Sequence, residues 1–346
     1  MRAQSAILAQ RRHSISVSPG DGGGLACEKD SVSGSVSQRA CVYCGARVVL
    51  NPITDACHIV HGPIGCAAYT WDIRGSLTSG SDLYRNSFST DLQETDVIFG
   101  GAGKLTAAID ELMEKVRPAP KLIFVYATCL VGVIGDDVEA VCRRAEQTHG
   151  VRCIAVKAPG FSGTKSQGYK LACDAIMTLI LPHRDRPRQF GVNILGDYNL
   201  AGEMWIIKQY LETVGIPVVA TITGDSDYER LLRAPSAALN LVQCAGSSVY
   251  LAGRMAEELN IPYLQVSFFG LQDTADSLLR TAETLGVRDI IERTKEFVGR
   301  QTSLTLPVVA QYRPRLAGKR AAIFVGGGFK AISLIKQFRE LGMRTV

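Results

Sequence analysis

Short apolar segments of strand length alternate with helical segments along most of this chain, and that alternation limits the folds it can adopt. Residues 121–128 (KLIFVYAT) and 151–156 are largely apolar runs, and helical segments follow them at 136–145 and 168–181. The first of these helices opens on acidic residues, which suit a helix N-terminus. Strands that alternate with helices build parallel βαβ units, so the sequence predicts an α/β fold with parallel sheets.

The alternation of strands and helices continues in two further predicted α/β domains. A Pro/Arg-rich stretch at 182–188 precedes four predicted strands, at 190–195, 217–222, 239–244 and 262–266. The predicted organisation is a disordered N-terminal tail at 1–38, a first α/β domain at 39–186, a second at 187–302 and an incomplete third at 303–346. Because helix 330–341 has only the start of a following strand to pack on, the third domain is predicted to be frayed.

Composition argues against several classes of function. Hydrophobic residues make up 46% and charged residues 21%, as in an ordinary globular protein. The net charge of +5 comes without a basic stripe and interleaved aromatic residues, which argues against nucleic acid as a partner. No apolar run reaches the roughly 18 residues of a membrane span. Ser and Gly, not an apolar stretch, follow Arg11 and Arg12, so no signal peptide is predicted and a cytoplasmic location is expected.

Two glycine-rich segments match phosphate-binding loops only in part. The run GGAGK at 100–104 has Ile98 where a P-loop needs its first glycine and Leu105 where Ser or Thr would bind magnesium. The glycine turn at 326–328 lies between a predicted strand and a helix, but the given sequence stops before the position at which an acidic ribose ligand could appear. Both segments are interpreted as structural turns.

The ten cysteines are the strongest sign of chemistry in the sequence. In a cytosolic protein of this size they indicate metal ligands or buried thiols rather than disulfides. Cys41 and Cys44 form a C-x-x-C pair, which is typical of zinc and thiol redox sites, but zinc needs a second pair at suitable spacing and none exists. For any single cysteine, a buried packing role remains the alternative.

Three cysteines are predicted at loop edges. The turn at 62–65 is expected to present Cys66 on a loop whose backbone N–H groups can approach a large inorganic group. Cys129 follows the strand 121–128, at the edge where open α/β sheets bind ligands, and Cys41 begins the first ordered segment. Three cysteines suit an iron–sulfur cluster, whose usual fourth ligand would come from another chain.

Residues 39–346 resemble the nitrogenase component 1 family, and in particular its members that assemble the iron–molybdenum cofactor. The matching motifs are PITD at 52–55, HIVHGPIGC at 58–66, WDIRG at 71–75, STDL at 89–92, IGDDV at 134–138, GFSG at 160–163, GDYNLAGE at 196–203 and AISLI at 331–335. The resemblance implies three Rossmann-like parallel-sheet α/β domains around a cofactor cleft, with the third domain truncated.

The resemblance also implies two metal sites. In such proteins the cysteines that match Cys41, Cys66 and Cys129 ligate a [4Fe–4S] cluster shared with a partner subunit, which supplies the fourth ligand. The cofactor-binding positions implied by the family are Cys244 as the anchor, with Arg74, Lys165, Gly327, Gly328 and Lys330 lining the pocket. Cys44 matches no ligand position and is interpreted as packing.

The implied function is that of an assembly scaffold and not of an enzyme. The resemblance implies pairing with NifN in an α2β2-like heterotetramer that holds a transient iron–sulfur precursor while molybdenum and homocitrate are added. The implied transient partners are the nitrogenase iron protein, a precursor donor and apo-nitrogenase, with no nucleic acid and no membrane.

Two alternatives stay open. The catalytic α subunit of nitrogenase component 1 shares the fold and the cluster cysteines. Relatives of that kind carry Gln and His near the reacting face of the cofactor, where this chain has Lys165 and Tyr169. The missing amide and proton donor favour the scaffold. A metal-free α/β protein that binds a small molecule is allowed by the fold alone.

Overall fold

The computed structural model describes residues 41–70, 76–79, 83–243, 245–324 and 328–346. All of these belong to one compact unit, residues 31–346. The predicted disordered tail at 1–38 lies outside the described residues.

Helices and parallel strands alternate along the described chain. The first half contains α1 (Val42–Leu50), β1 (Ala56–His61), α2 (Ile64–Thr70), β2 (Ser87–Ser89), α3 (Glu94–Phe99), α4 (Ala102–Lys115), β3 (Leu122–Ala127), α5 (Cys129–Ile134), α6 (Val138–His149), β4 (Arg152–Lys157) and α7 (Lys165–Ile180). The second half contains β5 (Val192–Leu195), α8 (Glu203–Thr213), β6 (Val218–Ile222), α9 (Tyr228–Leu231), β7 (Leu239–Val242), α10 (Ala245–Leu259), β8 (Tyr263–Gln265), α11 (Leu271–Leu285), α12 (Arg288–Leu316), β9 (Arg320–Ala321), α13 (Gly328–Glu340) and β10 (Arg344–Thr345). Short 3₁₀ helices are Leu83–Asn86, Gly160–Ser162, Leu181–His183 and Ala234–Ser236.

The strands form three parallel sheets. The first has the order β2-β1-β3-β4, the second β6-β5-β7-β8, and β9 pairs with β10. In the first sheet, β1 and β3 pair over six residues each, with Ala56 opposite Leu122 and His61 opposite Ala127. The predicted α/β class with parallel sheets is confirmed.

The centre of the first sheet is buried on both faces. Every residue of β1 and of β3 is buried, as expected for inner strands of a parallel sheet covered by helices. Strand β3 is a continuous apolar run and was predicted. Strand β1 contains the buried polar residues His58 and His61, which break the apolar run, and neither β1 nor α1 was predicted as an element.

Local capping explains where the helices beside the sheet begin. The Asp137 carboxylate accepts a hydrogen bond from the Ala140 backbone N–H at 2.9 Å, which caps α6. Helix α7 opens with a capping box between Thr164 and Gln167.

Helix α12 is continuous from Arg288 to Leu316 and crosses the predicted domain boundary at 302/303. It contains Pro307 and Pro314, although proline inside a helix usually kinks or breaks it. The predicted boundary at 302/303 therefore lies inside a continuous helix. The predicted domain boundaries stay predictions. Within the described part of the chain, no helix combines the length and apolar character needed to cross a membrane.

The two histidines of β1 are expected to make the fold sensitive to mild acid. Burial lowers the pKa of His58 well below its usual value, and the Arg47 charge adds to this. Burial also lowers the pKa of His61, although its hydrogen bond with Asp136 acts in the opposite direction. The unfolded chain binds these protons more readily, so stability is complete above the unfolded histidine pKa and is lost as the pH falls below it.

Each histidine that stays neutral in the folded state is expected to cost about 1.4 kcal/mol of stability between pH 7.5 and pH 5.5. Urea unfolding at both pH values measures this loss. His58→Asn keeps a partner for the Tyr126 hydroxyl, which lies 2.9 Å from His58 Nδ1, and it removes the titrating group. The variant should lose less stability on acidification than the parent chain, and an equal loss would contradict the assignment.

Candidate metal centre

Cys66 and Cys129 lie at the carboxyl edge of the first sheet because they follow neighbouring parallel strands. Cys129 begins α5, directly after β3 and Thr128. Cys66 lies in the short helix α2 that follows β1, so the predicted loop around it was wrong and the turn at 62–65 leads into a helix. Thr128 joins the two strand ends, since its backbone N–H and its hydroxyl donate to the His61 carbonyl at 3.2 and 3.0 Å.

Cys41 reaches the same edge from the start of α1. It is the N-cap of that helix and forms an antiparallel bridge with Thr164, in the segment that follows β4. Gly160 lies between Cys41 and Cys129. A Cβ atom on Gly160 would be 3.1 Å from the Cys41 Cβ and 3.0 Å from the Cys129 Sγ, so a larger residue would fill the space between the two cysteines.

A close crossing of α1 over α7 fixes the position of Cys41. A Cβ atom on Gly168 would be 2.0 Å from the Val42 carbonyl oxygen, and one on Gly45 would be 2.1 Å from the Lys165 carbonyl oxygen. Both obstacles are backbone atoms, which cannot rotate away. The two glycines therefore let the helix backbones touch, and this contact holds the N-terminus of α1 beside the sheet edge.

Hydrogen bonds and burial act differently on the cysteines at this edge. The Gly160 backbone N–H donates to the Cys129 sulfur at 3.0 Å. A hydrogen bond with Cys44, whose sulfur is 3.7 Å away, lowers the pKa of Cys41 to about 6. The same bond, with burial, raises the pKa of Cys44, which donates once Cys41 is ionised. Burial raises the pKa of Cys66, and the charges of Cys129 and Cys41 add to it.

The donor chemistry at this edge, cysteine sulfurs with a backbone N–H, is that of an iron–sulfur cluster. Among the residues that the structure describes, no three His, Cys, Asp or Glu side chains are placed to hold a single ion. Cys41 and Cys129 lie on either side of Gly160, and the Cys129 sulfur accepts a hydrogen bond from the Gly160 backbone N–H, a contact of the kind that tunes iron–sulfur clusters. Three cysteines would leave one iron of a cubane cluster for a ligand from elsewhere.

The predicted cofactor pocket is described only in small part. Cys244, Arg74 and Gly327 lie outside the described residues. For Lys330, the structure describes the helical backbone but not the side chain. Gly328 is the first residue of α13. Lys165 is the first residue of α7, and its ammonium group lies 5.8 Å from the centroid of the Tyr169 ring. The roles assigned to these residues stay predictions.

Sequence reasoning missed the small residues that build the edge. Gly160 was recognised only as part of the GFSG motif at 160–163, and Gly45 and Gly168 were given no role. Gly45 itself is the sequence feature that could have indicated this contact, because an isolated glycine inside a helix often has a packing role. Its partner Gly168 is far along the chain, and only the fold brings the two together.

Comparisons with known proteins agree with the motifs. A family model described as nitrogenase component 1 type oxidoreductase matches residues 41–346. A Clostridium pasteurianum protein named nitrogenase iron-molybdenum cofactor biosynthesis protein NifE is 59% identical over 345 residues, which are 98% of this chain and 75% of that protein. A Methanosarcina barkeri protein of the same name is 49% identical over 336 residues, 93% of this chain and 72% of that protein.

A solved structure also matches. The structure described as "Nitrogenase Cp1 at pH 6.5" superposes with a TM-score of 0.85 at 34% identity. The match covers 92% of this chain and 62% of that chain, so this chain spans less than two thirds of the solved one. The resemblance inferred from the sequence motifs is confirmed.

Proposed function

The chain belongs to the nitrogenase component 1 family, and we propose that it is a scaffold subunit on which the iron–molybdenum cofactor is assembled. The names of its relatives support this function. The observation that supports the proposal most directly is that Cys41 and Cys129 lie on either side of Gly160, while Cys66 follows the neighbouring strand at the same sheet edge.

The three thiolates would hold a [4Fe–4S] cluster, which when bound supplies one-electron chemistry. The pKa of Cys41 is lowered to about 6, because the hydrogen bond with the Cys44 thiol stabilises its negative charge. The Gly160 N–H holds the Cys129 sulfur by a direct hydrogen bond. Cys66 is half-buried, and burial raises the pKa of its thiol, as do the charges of Cys129 and Cys41, so a bound cation would favour its thiolate.

A second chain would complete the cluster. Apolar side chains are exposed on the same segments as the cysteines: Val133 and Phe161 are 74% and 61% exposed, and Ile64 and Tyr69 on α2 are also exposed. Exposed apolar side chains around a half-built metal site are typical of a surface that a partner covers. In this proposal NifN covers the surface and supplies the fourth ligand, and two such pairs form the α2β2-like heterotetramer.

The cargo of the scaffold would lie in a second site. Cys244 would anchor an iron–sulfur precursor, with Arg74, Gly327, Gly328 and Lys330 around it, while molybdenum and homocitrate are added. The Lys165 ammonium would attract this anionic cargo, and Tyr169 beside it replaces the histidine of the catalytic relatives. The precursor donor, the nitrogenase iron protein and apo-nitrogenase would bind only transiently.

Anaerobic co-purification with NifN, followed by iron and molybdenum analysis and an acetylene-reduction assay, tests this function against the catalytic alternative. The scaffold is expected to carry iron, to reduce no acetylene, and to activate apo-nitrogenase once molybdenum and homocitrate are supplied. Acetylene reduction by the complex itself would identify the catalytic α subunit instead.

Gly160→Ala is expected to lower the cluster content of the complex with NifN. The added methyl group would lie 3.1 Å from the Cys41 Cβ and 3.0 Å from the Cys129 sulfur, so both residues must move away from it and the spacing of the two ligands changes. Iron per complex after anaerobic purification measures the effect. Gly103→Ala in α4 is the matched control, since a Cβ there meets no atom within 4 Å. A Gly160→Ala complex with full iron would contradict this geometry.

A further inference from the structure

Cys44 lies beside one proposed cluster ligand and has no place in the cluster. It is fully buried, and its sulfur is 3.7 Å from that of Cys41. We propose that Cys41 and Cys44 form an intramolecular disulfide in the cluster-free chain, and that this reversible bond withdraws Cys41 from the cluster site until a thiol reductant cleaves it.

The geometry of α1 supports bond formation. Cys41 is the extended N-cap residue, and Cys44 lies three residues later in the first turn of the helix, a spacing shared by the C-x-x-C redox pairs. A disulfide has an S–S distance of about 2.0 Å, so the two sulfurs must approach by about 1.7 Å from their present 3.7 Å. Rotation of a cysteine side chain can supply a shift of this size.

Cys41 is the residue that moves. Cys44 is enclosed in the core, and the contact of Gly45 with the Lys165 carbonyl prevents α1 from shifting. Cys41 is only partly buried and lies at the open end of the helix. An oxidant therefore reaches Cys41 first, and Cys44 acts as the resolving thiol from inside.

The reaction balances with a low-molecular-weight disulfide as oxidant. The Cys41 thiolate attacks one sulfur of that disulfide, whose S–S bond breaks and releases one thiolate. Cys44 then loses its proton and attacks the Cys41 sulfur of the mixed disulfide. The Cys41–Cys44 bond forms, and the second small thiol leaves with the proton. The protein loses two electrons, and the oxidant becomes two thiols.

The consequence for loading rests on the proposed function. A disulfide sulfur is not a thiolate and cannot ligate iron, so the oxidised chain lacks one of three ligands. In the loaded complex, the Cys41 sulfur would be bound to iron, and NifN would cover this edge of the first sheet. The bond is therefore expected before cluster loading and not after it.

A second thiol pair provides an internal control. Cys142 on α6 and Cys153 on β4 are hydrogen-bonded to each other, which together with burial raises the pKa of Cys153. Both are buried, at 3% and 5% exposure. A soluble disulfide has no access to either sulfur, so this pair is expected to stay reduced under conditions that oxidise Cys41 and Cys44.

Disulfide mapping on the full chain tests the proposal. The chain is purified anaerobically without NifN, stripped of iron with a chelator, treated with oxidised glutathione, denatured and alkylated without reduction. Trypsin releases residues 40–47 (ACVYCGAR), which contain only these two cysteines. The expected peptide carries no alkyl group, is lighter by two hydrogen atoms, and reverts with dithiothreitol, while Cys142 and Cys153 are alkylated. In Cys44→Ala, Cys41 should carry a stable glutathione adduct instead.

Two outcomes would overturn the proposal, and both are visible without any variant. One is a persistent glutathione adduct on Cys41 of the parent chain with Cys44 alkylated, and the other is alkylation of both residues. A separate arm treats the iron-loaded complex with NifN. If Cys41 and Cys44 become linked there without loss of iron, Cys41 is not a cluster ligand, and the proposed cluster site fails while the disulfide itself stands.

Discussion

Gly168→Ala is expected to destabilise the fold by about 3 kcal/mol or more, at the upper end of overpacking effects. Alanine is normally the better helix former by about 1 kcal/mol, so propensity alone predicts the opposite sign. The new Cβ would be 2.0 Å from the Val42 carbonyl oxygen and 2.7 Å from the Ala46 nitrogen. These are backbone atoms, so α1 and α7 must move apart, and Cys41 moves with α1.

Denaturant unfolding measures this effect, and Gly253→Ala is the matched control. Gly253 is also inside a helix, α10, but a Cβ there meets no atom within 4 Å. The control is expected to be neutral or more stable by up to about 1 kcal/mol, through helix propensity and a less flexible unfolded chain. If the two variants have the same stability, the helices do not touch at Gly168.

Cys129→Ala is expected to remove most of the cluster iron with little effect on the stability of the chain. Cys129 is exposed, and its sulfur accepts a hydrogen bond from the Gly160 backbone N–H. Truncation of an exposed side chain leaves no cavity, and surface substitutions usually change stability by less than about 0.5 kcal/mol. Iron analysis of the complex with NifN and unfolding of the isolated chain separate the two effects.

Cys57→Ala is the control for the ligand variant. Cys57 is a buried thiol within β1 and packs in the core of the first sheet. Its truncation is expected to cost about 1–2 kcal/mol of stability and to leave the iron content unchanged. Equal iron loss in the Cys57 and Cys129 variants would show that iron content reports on general stability and not on ligation.

The parallel sheets could be predicted because their inner strands carry a simple signal. Strand β3 is a continuous apolar run, which is typical of a strand that is buried on both faces. Strand β1 was missed because His58 and His61 interrupt its apolar pattern. In the fold, one ring nitrogen of His58 is hydrogen-bonded to Tyr126, and the two ring nitrogens of His61 are hydrogen-bonded to Thr90 and Asp136. Buried polar pairs of this kind depend on distant partners, which local patterns do not show.

The meeting of the cysteines could be predicted in part for a topological reason. Strands β1 and β3 are parallel neighbours, so residues that follow them meet at one edge. The approach of Cys41 could not be derived in the same way, because it depends on the contact of Gly45 with Gly168 and on the bridge to Thr164. The boundary predicted at 302/303 falls within α12, which continues to Leu316 through Pro307 and Pro314, and this boundary stays a prediction.

Electron paramagnetic resonance of the reduced complex with NifN tests the central claim most directly. Serine replaces Cys41, Cys66 and Cys129 together, and the parent complex is measured beside the variant at equal protein concentration. If these residues hold the shared cluster, the parent shows a [4Fe–4S] signal, and the triple variant loses that signal and associates more weakly with NifN. A triple variant that keeps the full [4Fe–4S] signal would contradict the assignment of the cluster to this edge.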